Sequence, residues 1–326
     1  MRLLALTAVL WSVAGFANAQ GGPPFRTDDP ETPGNKHWEI NFGWVGDRNP
    51  ADGAYQVPDF DINYGLGDRI QLKYELPIAI EELRPVSASP GQPAQQESVN
   101  VGLGESLLGV KIRFYEHHPG DPWIGRNPPS KTDAAAGAGE SEDEKPVNLS
   151  VGTYPQLSLD NPTSSIRRGV VAQGPDFFEP LEVNWRLGVL RFDGEVGYHF
   201  GNKALPQSWS RGLLMGHEFS DRTETYVEIY DQQDADRKHA GLGVGAFSTD
   251  ESKQRETTLG LGGRQALNKD KTLNLLLMGG RSFQTVTASN GQPSWIAYVG
   301  VQVLLGPKEP LNPQVEPKVP NESGKP

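Results

Sequence analysis

Long stretches of this chain alternate apolar with polar residues, one for one. From Trp38, the even positions Trp38, Ile40, Phe42 and Trp44 are apolar, whereas Glu39, Asn41 and Gly43 between them are not. Phe60, Ile62, Tyr64 and Leu66 stand against Asp61, Asn63 and Gly65, and Ile70, Leu72, Tyr74 and Leu76 against Gln71, Lys73 and Glu75. The pattern returns at Leu108 to Phe114, at Leu181 to Leu187, at Leu190 to Phe200 and at Trp295 to Val303. Successive side chains of a strand point to opposite faces, so this period predicts strands lying between an apolar and a polar environment. The runs are close to the span that a tilted membrane strand needs.

Matching the apolar faces across turn residues fixes hairpin registers. Leu66 pairs with Ile70 across Gly67-Asp68-Arg69, which aligns Tyr64 with Leu72 and Asn63 with Lys73. Gly188-Val189 opposes Leu187 to Leu190, while Ser220-Asp221-Arg222 and Asn268-Lys269-Asp270 make further tight turns. About twelve strands result, from near His37 to near Leu305. Tight turns alternate with loops after Val45, from Glu81 to Ser98, from Asn161 to Phe177, near Asn202, from Gln232 to Arg255 and from Thr285 to Gln292. Such parity predicts an all-β, antiparallel, up-and-down transmembrane β-barrel with periplasmic termini. One long connection, the acidic insertion 117–146, breaks the parity and is expected to be disordered. Trp38, Trp44, Trp209 and Trp295 fall at predicted strand ends, as aromatic girdles do.

Composition adds direction to this picture. Residues 1–19, with Arg2, the apolar run Leu3 to Trp11 and the small residues Ala17 and Ala19, have the form of a cleaved signal peptide. Only 36% of residues are hydrophobic and the mean hydropathy is -0.52, which excludes a helical membrane protein. Cysteine is absent, so regular hydrogen bonding rather than disulfides must stabilise the exported fold. The net charge of -11, with no basic stripe, argues against nucleic acid. Residues 20–36 are expected to form an N-terminal periplasmic segment, 37–305 the barrel and 306–326 a disordered tail.

The stretch Pro23-Pro24-Phe25-Arg26-Thr27-Asp28-Asp29-Pro30-Glu31-Thr32-Pro33, followed by His37 to Asn41, resembles the start of the transporter-like family named for the meta-pathway of phenol degradation. Asp61 to Arg69, Gln71 to Glu75, Leu259 to Arg264 and Ala297 to Gln302 carry the resemblance further along the chain. It implies an outer-membrane barrel admitting small, aromatic or other hydrophobic compounds.

Chemistry-bearing motifs are few. The chain has no nucleophile elbow, zincin motif or phosphate loop, so no catalytic site and no cofactor is expected. Gly241 to Gly245 lacks the spacing of a phosphate cradle and is taken as a glycine-rich loop or strand. His117 and His118, with Glu116 and Asp121, are too local to converge on a metal without further structure, so no metal site is assigned. Glu182 and Glu195 should face one another across the Gly188 hairpin, interleaved with Arg186 and Arg191 as a ladder of charge. The polar face is the candidate functional surface, and Lys73, Glu75, Arg113, Glu182, Arg186, Arg191, Glu195 and Arg264 are expected to line the lumen. The expected partners are outer-membrane lipid, small-molecule solutes and the barrel-assembly machinery. Alternation alone also accommodates a secreted or surface β-sandwich that binds a ligand, or a closed barrel with a structural role.

Overall fold

The computed structural model describes residues 23–50, 52–85, 96–118, 147–161, 165–168, 170–171, 174–201, 207–236, 255–284 and 293–307. The signal peptide, the body of the acidic insertion, the glycine run at 241–245, the loop 285–292 and nearly all of the tail lie outside these residues.

Fourteen strand segments form one antiparallel sheet: β1 (Trp38–Arg48), β2 (Asp52–Gly65), β3 (Ile70–Leu83), β4 (Ser98–Leu103), β5 (Ser106–His117), β6 (Leu149–Thr153), β7 (Gln156–Leu159), β8 (Asp176–Leu187), β9 (Leu190–His199), β10 (Gln207–Ser220), β11 (Thr223–Asp236), β12 (Arg255–Ala266), β13 (Leu273–Gln284) and β14 (Ser294–Leu305). β1 pairs with β14, closing the sheet into a barrel and ruling out a sandwich. β4 and β5 both pair with β3, and β6 and β7 both pair with β5 and β8. The fourteen segments therefore make twelve strands, two of them interrupted. The first break, at Gly104-Glu105, faces Pro77, which has no N–H to give to a ladder but whose carbonyl accepts from Gly104 N at 2.8 Å. The second falls at Tyr154-Pro155, where Pro155 likewise cannot donate.

The expected registers are present. Tyr64 opposes Leu72, Asn63 opposes Lys73, and Leu187 opposes Leu190. Three loop starts need correction. The chain does not leave the sheet after Val45: β1 runs on to Arg48, where Gly46-Asp47-Arg48 keep both ladders, and Asn49 closes the connection by accepting from Asp52 N at 2.9 Å. Similarly, β3 continues past Glu81 to Leu83, and β11 past Gln232 to Asp236. Polar strand ends protruding above an apolar belt look like loop in sequence because their alternation has ended.

Leu72, Val110, Leu181, Val196, Leu213 and Val299 are exposed on the outer wall, so the apolar stripe faces outward and the polar stripe inward. This inverts a soluble protein. Aromatic side chains bracket the belt. Trp38 against Tyr64 and Trp185 against Phe192 lie towards the tight-turn rim, and Trp44 against Tyr55 and Trp209 against Tyr198 towards the opposite one. No helix among the described residues is long and apolar enough to cross a membrane, and the short helix α1 (Ser165–Arg168) leads into Val170 and Val171, which pack with Ala79.

Candidate functional site

The inner wall carries the polar halves of every alternating strand. Asn41 Nδ2 donates to Glu39 and Asp61, Asn63 Nδ2 donates to Asp61, and Gln71 Nε2 donates to Asn63 at 2.7 Å. Across the barrel, Asn184 Nδ2 donates to Asp193 and Asn274 Nδ2 to Gln302. Asn41–Glu39 and Asn63–Asp61 join residues two apart on one strand, and the other pairs join adjacent strands, because inward residues meet side by side along and across the ladder.

Each of the eight candidate lumen residues sits on this wall. Lys73 Nζ lies 2.9 Å from Glu75 and 3.3 Å from Asp61. Arg113 Nε is 2.7 Å from Glu116, and its Nη2 donates to the Asp68 carbonyl at 2.6 Å. Arg264 pairs with Glu224 at 3.2 Å, and Arg186 with Glu31 at 2.9 Å. Glu182 and Glu195 do oppose one another directly, as do Arg186 and Arg191. Both carboxylate oxygens of Glu182 are buried without a hydrogen-bond partner among the described residues.

The N-terminal segment supplies what sequence reasoning missed. Residues 23–36 do not lie outside the barrel as a periplasmic segment; they run up its interior, adding no strand to the sheet. At the turn rim, Lys36 N donates to Gly65 O, Gly67 N to Asn35 Oδ1, and Thr32 Oγ1 to Asp68 O. Higher up, Arg186 holds Glu31, and Arg191 pairs with both Asp29 and Asp193. Lys111 Nζ donates to Asp28 Oδ1 at 2.7 Å and to the Asp29 carbonyl. Asp28 N donates to Glu195, Thr27 N to Glu228 at 2.6 Å, and Arg26 reaches Glu256 near the far rim. Phe25 then enters an apolar pocket of Leu214, Tyr226 and Met278. Thr27 and Asp29 are 0% exposed, so at this height the segment is packed into the interior.

Arg191, Arg186, Glu195 and Lys111 are therefore not a bare charged lining. They bind a second piece of the same chain. Proline leaves the segment extended, and acidic side chains at Asp28, Asp29 and Glu31 match the wall's cations. The wall also makes room for it: a Cβ on Gly212 would overlap the Thr27 side chain, and one on Gly152 would lie 2.7 Å from Pro30 Cβ.

His117 Nδ1 lies 2.8 Å from Asn148 Oδ1, and among the described residues no cluster of three ligating side chains could hold a metal.

No family model and no curated protein matches the sequence. Among solved structures, the chain is similar to the COG4313 outer membrane channel from Pseudomonas putida F1, with a TM-score of 0.57 and 11% identity over 88% of this chain and 100% of that one. The NanC porin aligns with a TM-score of 0.46 and 6% identity, over 81% of this chain and 98% of that one. The CymD monoaromatic hydrocarbon channel gives 0.36 and 7%, over 84% and 90%. At these identities the first likeness speaks to architecture, and what is shared with the COG4313 channel is the fold.

Proposed function

We propose that this chain is an outer-membrane channel or facilitator for small molecules, not an enzyme. Residues 1–19 would direct export and be removed, the barrel-assembly machinery would insert residues 37–305, and the tight turns would face the periplasm. The observation that carries this reading is the pairing of an apolar outer belt with a polar interior filled by a segment that belongs to no strand. Above the turn rim, bonds that each involve a side chain hold that segment, so the interior can open without breaking the barrel. The likeness to the COG4313 channel supports the same reading.

The resemblance to the meta-pathway phenol family adds a substrate class, small aromatic or hydrophobic compounds. Lys73, Glu75, Arg113, Glu182, Arg186, Arg191, Glu195 and Arg264 would act as lumen residues that set which solutes pass. Uptake of radiolabelled aromatics by cells with and without the gene tests this. Slower uptake in the deletion strain, restored by the gene, is expected; equal uptake contradicts it. The complete burial of Thr27 and Asp29 favours a second reading, a barrel closed throughout for a structural role. Conductance, considered below, separates the two.

A further inference from the structure

Cations are uncommon on a lipid-facing wall, yet this wall carries several towards its loop rim. Arg211 on β10 and Arg255 on β12 both approach Asp231 on the strand between them, at 4.0 and 2.6 Å, and Thr257 Oγ1 donates to the same carboxylate at 2.8 Å. The two guanidinium side chains are 56% and 52% exposed, whereas Asp231 is 12% exposed. One strand further, Arg281 on β13 stacks on Trp295 of β14, with Cζ 4.1 Å from the ring centroid. Its Nε has no hydrogen-bond partner among the described residues, and Trp295 opposes the exposed Arg48 of β1. Four arginines thus form an arc from β10 to β1, with Asp231 at one end and Glu82, itself paired with Arg84, beyond Arg48 at the other.

The height of the arc explains its tolerance. Leu213, Ile229 and Leu259 lie immediately on the turn side of Arg211, Asp231 and Thr257 along their strands, and Trp209 lies on the loop side. The cations therefore mark the edge of the apolar belt at the aromatic girdle. Arginine on the lipid face is costly at mid-membrane and nearly free at the interface, where headgroups sit. A planar guanidinium matches a phosphate by paired hydrogen bonds, and two of them gathered by one carboxylate are already oriented for it.

We propose that Arg211, Arg255, Arg281 and Arg48 form a binding site on the outer wall for the phosphate groups of an outer-leaflet glycolipid. Asp231 positions the first two arginines, and Trp295 the third. The proposal rests on the reading of the chain as an outer-membrane barrel with its loop rim outside.

The test is binding of fluorescent rough lipopolysaccharide to the full-length protein in non-ionic detergent. Folding is checked separately, by a gel band that shifts on boiling. The wild type is expected to bind, and the triple variant Arg211→Gln, Arg255→Gln, Asp231→Asn to bind about tenfold more weakly. Asp231→Asn is included so that no carboxylate loses its cations. Arg222→Gln, on the opposite rim, should bind like the wild type. Dephosphorylated lipopolysaccharide should bind the wild type about tenfold more weakly, and inorganic phosphate should not displace the glycolipid. Equal binding by the folded triple variant, or equal binding of the dephosphorylated lipid, overturns the site. Displacement by inorganic phosphate would make it a free-phosphate site instead. A wild-type chain that is soluble without detergent would remove the membrane reading itself.

Discussion

At the scale of single residues, the interior is organised by Arg191. Its side chain is 2% exposed and pairs with Asp29 from the segment and Asp193 from the wall, both fully buried. Removing a cation from such a site leaves carboxylates without their counter-charge, which costs about 3–5 kcal/mol. Arg191→Met should therefore lower the temperature at which the folded gel band converts to the unfolded one. Arg222→Gln, at an exposed turn, should leave it nearly unchanged; an unmoved Arg191→Met would contradict the pairing. Gly212 makes a complementary case, because the atoms nearest to a side chain there belong to Thr27. Gly212→Val should displace the segment while the barrel still forms. Trypsin cleavage after Arg26 in the folded protein should then be faster than in the wild type, and equal rates would place Thr27 elsewhere.

The element scale separates what was legible in the sequence from what was not. The registers of β2 with β3 and of β8 with β9 were readable to the residue, because the apolar stripe and the turn at Gly67 or Gly188 each admit a single register; the far ends of these strands were not. The breaks at Gly104 and Tyr154 were not: the second leaves the alternation in step, and at the first the outward stripe passes from Val99, Val101 and Leu103 to Leu108, Val110 and Ile112, a one-residue shift hidden between two short runs. Inward placement of Lys73, Arg113 and Arg191 followed from parity. Their partners did not, because residues 23–36 have no periodicity and so carry no strand signal. Two clues were present: three carboxylates packed among prolines, and inward glycines at 152 and 212 with no role in a turn. The outer stripe yields its own prediction. Leu277, exposed within β13, faces lipid in this account, and Leu277→Arg should cost about 2–4 kcal/mol if it lies near the membrane midplane. The readout is a reduced folded fraction after refolding into vesicles; an unchanged fraction would contradict a lipid-facing belt.

For the whole molecule, two kinds of bonding coexist. Closed backbone ladders hold the wall, and side-chain ion pairs hold its contents. A twelve-stranded barrel has room for more than side chains, and here a length of its own chain takes up that room. On the reading proposed above, the barrel is a channel whose N-terminal segment occupies the path. Single-channel recording in planar bilayers tests it most directly, comparing the full-length protein with a variant in which residues 23–33 are replaced by a Gly-Ser linker of equal length. Small, intermittent conductance is expected for the first and larger, steady conductance for the second. Equal conductance from the two would contradict the placement of the segment in the path, and none from either folded protein would contradict a channel.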